Sequence, residues 1–158
     1  MSKVCSIKIV QTIPVSLEEA WDFFSNPENL NAITPGNMGF KTISKYHGNT
    51  MYPGQVIEYK VSPVLGIPLY WMTEITHVTD KKYFVDEQRF GPYTMWHHQH
   101  HFRSVDNGVE MTDIIHYKLP LWFLGDIANA LFVRKKLKGI FDYRYQKVAQ
   151  MFPQVQGV

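Results

Sequence analysis

Residues 125–152 read GDIANALFVRKKLKGIFDYRYQKVAQMF, and their periodicity decides the fold. Ile127, Ala130, Leu131, Leu137, Phe141, Tyr145, Val148 and Phe152 recur at three- and four-residue spacing, with Asp126 placed to cap a helix and Pro153 to stop it. At about 1.5 Å per residue such a helix runs roughly 40 Å. In a chain of 158 residues one neighbouring helix cannot cover so long an apolar arc, so the helix needs a sheet to lie in.

The rest of the chain supplies that sheet. Strands are predicted over 38–46, 55–62, 67–78, 82–90, 93–105 and 109–119, divided by His47-Gly48-Asn49, Pro53-Gly54, Pro63 to Gly66, Gly91-Pro92 and Asp106-Asn107-Gly108. A first strand over 4–13 carries Cys5, Ile7, Ile9 and Ile13 on its inward parity and ends at Pro14. Ser16-Leu17-Glu18-Glu19 has the spacing of a capping box, Ser16 toward the Glu19 amide and Glu19 back toward Ser16. The short helix it opens buries Leu17, Ala20, Trp21 and Phe24; Asn26-Pro27 breaks it, and a second short helix runs to Ile33. The expected architecture is α+β: a curved seven-stranded antiparallel sheet wrapped around a long C-terminal helix, two short helices after strand 1, and one domain spanning residues 1–158.

Composition narrows the function. Sixteen basic residues against fourteen acidic ones leave a formal charge of +2, too balanced to signal nucleic acid. Cys5 is the only cysteine, so there is no disulfide framework and nothing demands an oxidising compartment. Residues 1–12 lack the apolar core of a signal peptide, and a cytoplasmic location is expected. No run approaches the roughly eighteen apolar residues of a membrane span; in Leu119 to Leu124 the run is interrupted by Pro120 and ended by Gly125, so stable membrane insertion is not expected.

Strand parity identifies the interior. Over 93–105 one face carries Trp96, His98, His100 and Phe102, the other Met95, His97, Gln99, His101 and Arg103. The aromatic face points inward and takes both central histidines with it. The same test selects Ile57, Tyr59 and Val61; Trp71, Thr73 and Ile75; Phe84, Asp86, Gln88 and Phe90; and Met111, Asp113, Ile115, Tyr117 and Leu119. Burying a polar group without a partner costs several kcal/mol, so a concave face this polar must satisfy itself, hold water or meet a ligand. Arg134 and Arg144 fall on or near the apolar arc of the long helix, where each either snorkels outward or pairs with Asp113 or Asp86.

The opening Ile13-Pro14-Val15-Ser16-Leu17-Glu18-Glu19-Ala20-Trp21-Asp22-Phe23-Phe24-Ser25-Asn26-Pro27, with Asn29-Leu30 and Thr34-Pro35, resembles the START-like helix-grip (SRPBCC) superfamily, and the resemblance runs through the final helix. The run Phe84-Val85-Asp86-Glu87-Gln88, then Gly91-Pro92-Tyr93, Trp96, His98, His100 and Phe102, is similar to a largely uncharacterised bacterial ligand-binding subgroup. Asp113, Tyr117, Pro120, Gly125, Phe141 and Arg144 fit its later pattern, while Gln99 flanked by His97 and His101 departs from it. The resemblance implies a deep apolar cavity under the helix, a design used for lipid or sterol transfer, hormone sensing and polyketide cyclisation. Fold does not choose among these.

The leading expectation is a cavity that binds a small, largely apolar or amphipathic molecule. Tyr59, Trp71, Phe84, Trp96, Phe102, Leu137 and Phe141 supply walls, and Asp86, Gln88, His98, His100, Asp113 and Tyr117 orient a polar head. One alternative is a cyclase- or dehydratase-type enzyme in which His98 or His100, oriented by Asp86 or Asp113, transfers protons. Another is an interaction module with a vestigial cavity. No cofactor is implied. For His98, His100, Asp86 and Asp113 a metal reading also exists, since imidazole and carboxylate bind zinc or iron and histidines two apart on a strand can share an ion, but no third His or Cys stands at helical or finger spacing, so no metal is assigned. His97 and His101 are read as a solvated face, residues 134–138 as a solvated basic helix face, Trp21, Phe24, Phe141 and Tyr145 as core, and Cys5 as a small buried apolar residue.

Overall fold

A computed structural model describes residues 3–44, 50–62, 67–120, 127 and 132–153. The caps expected at Asp126 and the first turns of the long helix lie outside the described residues. Seven strands form one antiparallel sheet: β1 (Cys5–Ile13), β2 (Lys41–Thr42), β3 (Gln55–Val61), β4 (Leu69–Thr79), β5 (Tyr83–Phe90), β6 (Met95–Val105) and β7 (Gly108–Lys118), in the order β1-β7-β6-β5-β4-β3-β2. Apart from β1, which closes onto β7, every strand pairs with its sequence neighbour. Helix α1 (Leu17–Phe24) and two 3-10 segments, Pro27–Ile33 and Gly36–Met38, cross from β1 to the far edge, and helix α2 (Arg134–Met151) closes the chain.

Local chemistry sets these boundaries. The Ser16 side chain accepts the Glu19 amide at 3.2 Å and starts α1, and Asn26 accepts the Glu28 amide at 3.0 Å just before Pro27. Gly108 adopts φ +130° at the β6–β7 hairpin, where an added Cβ would run into the Ile13 carbonyl and lie 2.9 Å from Pro14 Cα. Only glycine fits that turn.

Three expectations need correction. Over the described part of the strand predicted for 38–46 only Lys41–Thr42 pairs as strand, its start delayed because Gly36–Met38 coils into a 3-10 turn that Gly39 ends in the left-handed region at φ +53°; residues 45 and 46 lie outside the described residues. Phe90 is 62% exposed. The β4–β5 register slips between Met72 and Thr73, which pair with Phe90 and Gln88, so Arg89 is the extra residue of a bulge that turns Phe90 outward. Tyr145 is 45% exposed, since α2 buries Leu137, Phe141 and Val148 and directs Arg144 inward beside them.

The interior divides at the sheet's middle. Trp21 packs edge-on against Phe84 and Phe102, with ring centres 6.0 and 5.5 Å apart, and joins Phe24, Met111 and Val148 in a dense core beneath α1. Each such side chain contributes about 1.5–3 kcal/mol by leaving water. Leu137 and Phe141 cover Trp96, Ile115 and Tyr117 near the other end of the sheet. Between these clusters the helix and sheet do not touch completely, and the space left over is the site. Among the described residues no helix is long and apolar enough to cross a membrane.

Candidate functional site

A cavity of about 320 Å³ lies between the concave face of the sheet, the 3-10 segments and α2. Its walls are apolar: Leu30, Ile33, Phe40, Met51, Trp71 and Ile140 among them. Trp71, Tyr93 and Trp96 form one aromatic corner, with ring centres 4.9 to 5.6 Å apart. The Trp71 indole N–H is satisfied internally by Thr73 Oγ1 at 3.0 Å, leaving its ring as wall. Burial pushes the Tyr93 phenol above its ordinary pKa and keeps it protonated.

The floor is different. Asp86 on β5, His98 and His100 on β6, and Asp113 on β7 meet because register sets Asp86 opposite His98 and His100 opposite Asp113. The rings close a square. His98 Nδ1 is 3.5 Å and His100 Nε2 2.8 Å from Asp86 Oδ2; His98 Nε2 is 3.1 Å and His100 Nδ1 2.8 Å from Asp113 Oδ1. The last contact is close but lies off the direction of the ring N–H, so it is an ion-pair contact without an aligned hydrogen bond. The imidazoles lie 3.8 Å apart; His100 stacks on Phe84 at 4.2 Å and His98 meets the edge of Phe141 at 5.8 Å.

Charge in this square is set by competition between burial and neighbours. Burial raises the Asp113 and Asp86 carboxyls, but Arg144 and the two histidines outweigh it and hold both below the ordinary range, Asp113 well below. Burial and the like charge of His100 push the His98 imidazole down, with the carboxylates offsetting only part. Burial also opposes protonation of His100, yet its contacts to Asp113 and Asp86 hold its pKa up. The two carboxylates thus favour protonation of His100 over His98, with the Arg144 guanidinium as a further positive charge beside them. Arg144 reaches the cavity from α2 with its guanidinium carbon 5.7 Å from the centre of the Phe24 ring, and its buried Nε has no hydrogen-bond partner among the described residues.

Not every expected residue reaches the cavity. Tyr59, Trp71, Phe84, Asp86, Trp96, His98, His100, Leu137 and Phe141 line it. Asp113, 2% exposed, stands behind the histidines, and Tyr117 is fully buried under α2. Phe102 belongs to the core beneath α1. Gln88 spends its amide on the turn, donating to the Tyr93 carbonyl at 2.6 Å and accepting the Tyr93 N–H at 3.3 Å. Ile33, Phe40 and Met51 were not among the expected wall residues, since nothing in residue periodicity shows that the crossing segment and the chain on either side of β2 line a cavity. On the outer face His97, Gln99 and His101 form a partly exposed chain running from Glu87, so this ladder is separate from the floor.

No family model and no curated protein matches the sequence. Solved structures do match the fold. The chain is similar to protein CV1439 from Chromobacterium violaceum, with TM-score 0.71 and 8% identity over 93% of this chain and 96% of that one. It is similar to ginseng major latex-like protein 151 from Panax ginseng, with TM-score 0.68 and 13% identity over 95% and 98%. It is also similar to TTHA0849 from Thermus thermophilus, with TM-score 0.67 and 11% identity over 97% and 100%. Together with the sheet order and long helix, these matches show a helix-grip fold.

Proposed function

We propose that this protein binds a small, largely apolar molecule carrying a polar head, held between the sheet and α2. The observation that carries the reading is the contrast within one cavity: about 320 Å³ enclosed mainly by apolar side chains, with Asp86, His98 and His100 in mutual contact and Arg144 also in its lining. Small-molecule sites typically occupy about 300–1,000 Å³ and use a few placed polar groups to orient the ligand. A fully packed interior would be the mark of a vestigial cavity, and this volume speaks against that reading.

Native mass spectrometry of untagged protein, compared with its denatured mass, tests the binder. An organic adduct released on denaturation supports it and gives the ligand's mass. If neither the purified protein nor protein incubated with a library of apolar acids and alcohols carries an adduct, the reading falls.

A second reading, acid–base catalysis, is favoured by one geometric fact: His98 lines the cavity while Asp113 holds its far nitrogen at 3.1 Å. That is the base-and-orienter arrangement of proton-transfer enzymes. Turnover of a bound ligand that disappears in His98→Gln while affinity persists would separate enzyme from binder.

A further inference from the structure

We propose that Asp86, His98 and His100 form a site for a first-row divalent transition metal facing the cavity, with Asp113 behind it holding the His98 ring by a hydrogen bond and lying in ion-pair contact with His100. One ligand atom from each of the three residues lies within 4.8 Å of the other two. Donors sharing a metal with bonds near 2.1 Å stand about 3.0–3.4 Å apart. The separations from Asp86 Oδ2 to His100 Nε2 and His98 Nδ1, 2.8 and 3.5 Å, bracket that spacing.

The far side of each ring strengthens the assignment. His98 Nε2 and His100 Nδ1 both turn to Asp113 Oδ1, at 3.1 and 2.8 Å. A ligating histidine that gives its other nitrogen to a carboxylate is the usual support of a metal site, because that carboxylate fixes the tautomer and raises ligand basicity. Here the buried Asp113 carboxylate serves His98 in that way and stands close to His100 Nδ1 without an aligned hydrogen bond, while stacking on Phe84 and contact with Phe141 restrict rotation of the rings.

The donor set chooses the metal class. Two imidazoles and one carboxylate suit zinc, ferrous iron or cobalt, whereas magnesium and calcium take oxygen donors. Three protein donors leave coordination positions toward the cavity. A divalent ion with Asp86, Asp113 and Arg144 leaves one net positive charge, so the open positions favour an anionic oxygen: hydroxide, or a ligand's carboxylate or enolate. The inference does not depend on the cavity's organic ligand, because it is tested with metal alone.

Untagged protein is stripped with a chelator and titrated with Co²⁺, reading its visible ligand-field bands, and with Zn²⁺ against a chromophoric competitor. One equivalent is expected to bind. Asp86→Asn and His100→Gln should abolish the bands, Asp113→Asn should weaken affinity about 10–100-fold, and the double outer-face variant His97→Gln/His101→Gln should leave binding unchanged. Far-ultraviolet circular dichroism checks that each variant is folded. Proton NMR of the Co²⁺-loaded wild type needs no variant, and shifted ring resonances must come from His98 and His100. Absence of stoichiometric binding, or shifted resonances from His97 and His101 instead, overturns the site.

Discussion

Asp113 shows how a single residue sets the character of the floor. It is 2% exposed and ionised among two imidazoles and the field of Arg144. Removing the carboxylate while leaving its partners buried is the costly kind of change, so Asp113→Ala should lose about 3–5 kcal/mol in urea denaturation. Linkage gives a second expectation for the metal-free protein. A carboxyl whose folded pKa is depressed contributes stability that is present above the ordinary carboxylate range and lost as pH falls through the folded value. Asp113 and Asp86 both have that sign. The urea midpoint should therefore drop as pH is lowered from about 5 toward 2, and Asp113→Asn should flatten that decline.

Elements carry a different kind of information, and here much was legible. Alternation along β6 and β7 placed Trp96, His98, His100 and Phe102, and Met111, Asp113, Ile115 and Tyr117, on the inner face where they are found. Turn chemistry placed the hairpins but not their register: Asp86 pairs with His98 and His100 with Asp113, each half a residue off reflection about the centres of Gly91-Pro92 and Asp106-Asn107-Gly108. Parity failed where the backbone leaves strict alternation: at the Arg89 bulge, which freed Phe90, and at Gly39, which delayed the start of β2. Gln88 has inward parity but is captured by a turn five residues away, a local competition that alternation cannot reveal. Phe90→Ser should change stability by no more than about 0.5 kcal/mol, as exposed positions do. Phe102→Ala, in the core beneath α1, should cost about 3–5 kcal/mol. Gly108→Ala combines a left-handed backbone with collision against β1, and should lower stability by about 2–4 kcal/mol on thermal or urea unfolding.

At the scale of the whole molecule, the length of the C-terminal amphipathic stretch required a sheet to receive it, and the strand pattern supplied seven strands in one antiparallel order. What alternation and periodicity do not contain is volume. Whether apposed apolar faces interlock or leave a cavity depends on how far α2 stands from the sheet, on the crossing segment that brings Leu30 and Ile33 to the cavity's lining, and on the β2–β3 connection that brings Met51. The site's polar end was legible as chemistry, and its enclosure was not. Ile140 on α2 lines the open space, so enlarging it there fills the cavity without removing a core contact. The most direct test of the binding account is fluorescence titration of a naturally fluorescent fatty acid into wild type and Ile140→Trp. The account predicts saturable one-to-one binding to wild type, weakened at least tenfold in Ile140→Trp at unchanged melting temperature. Equal affinity in both proteins would place the probe elsewhere and contradict it.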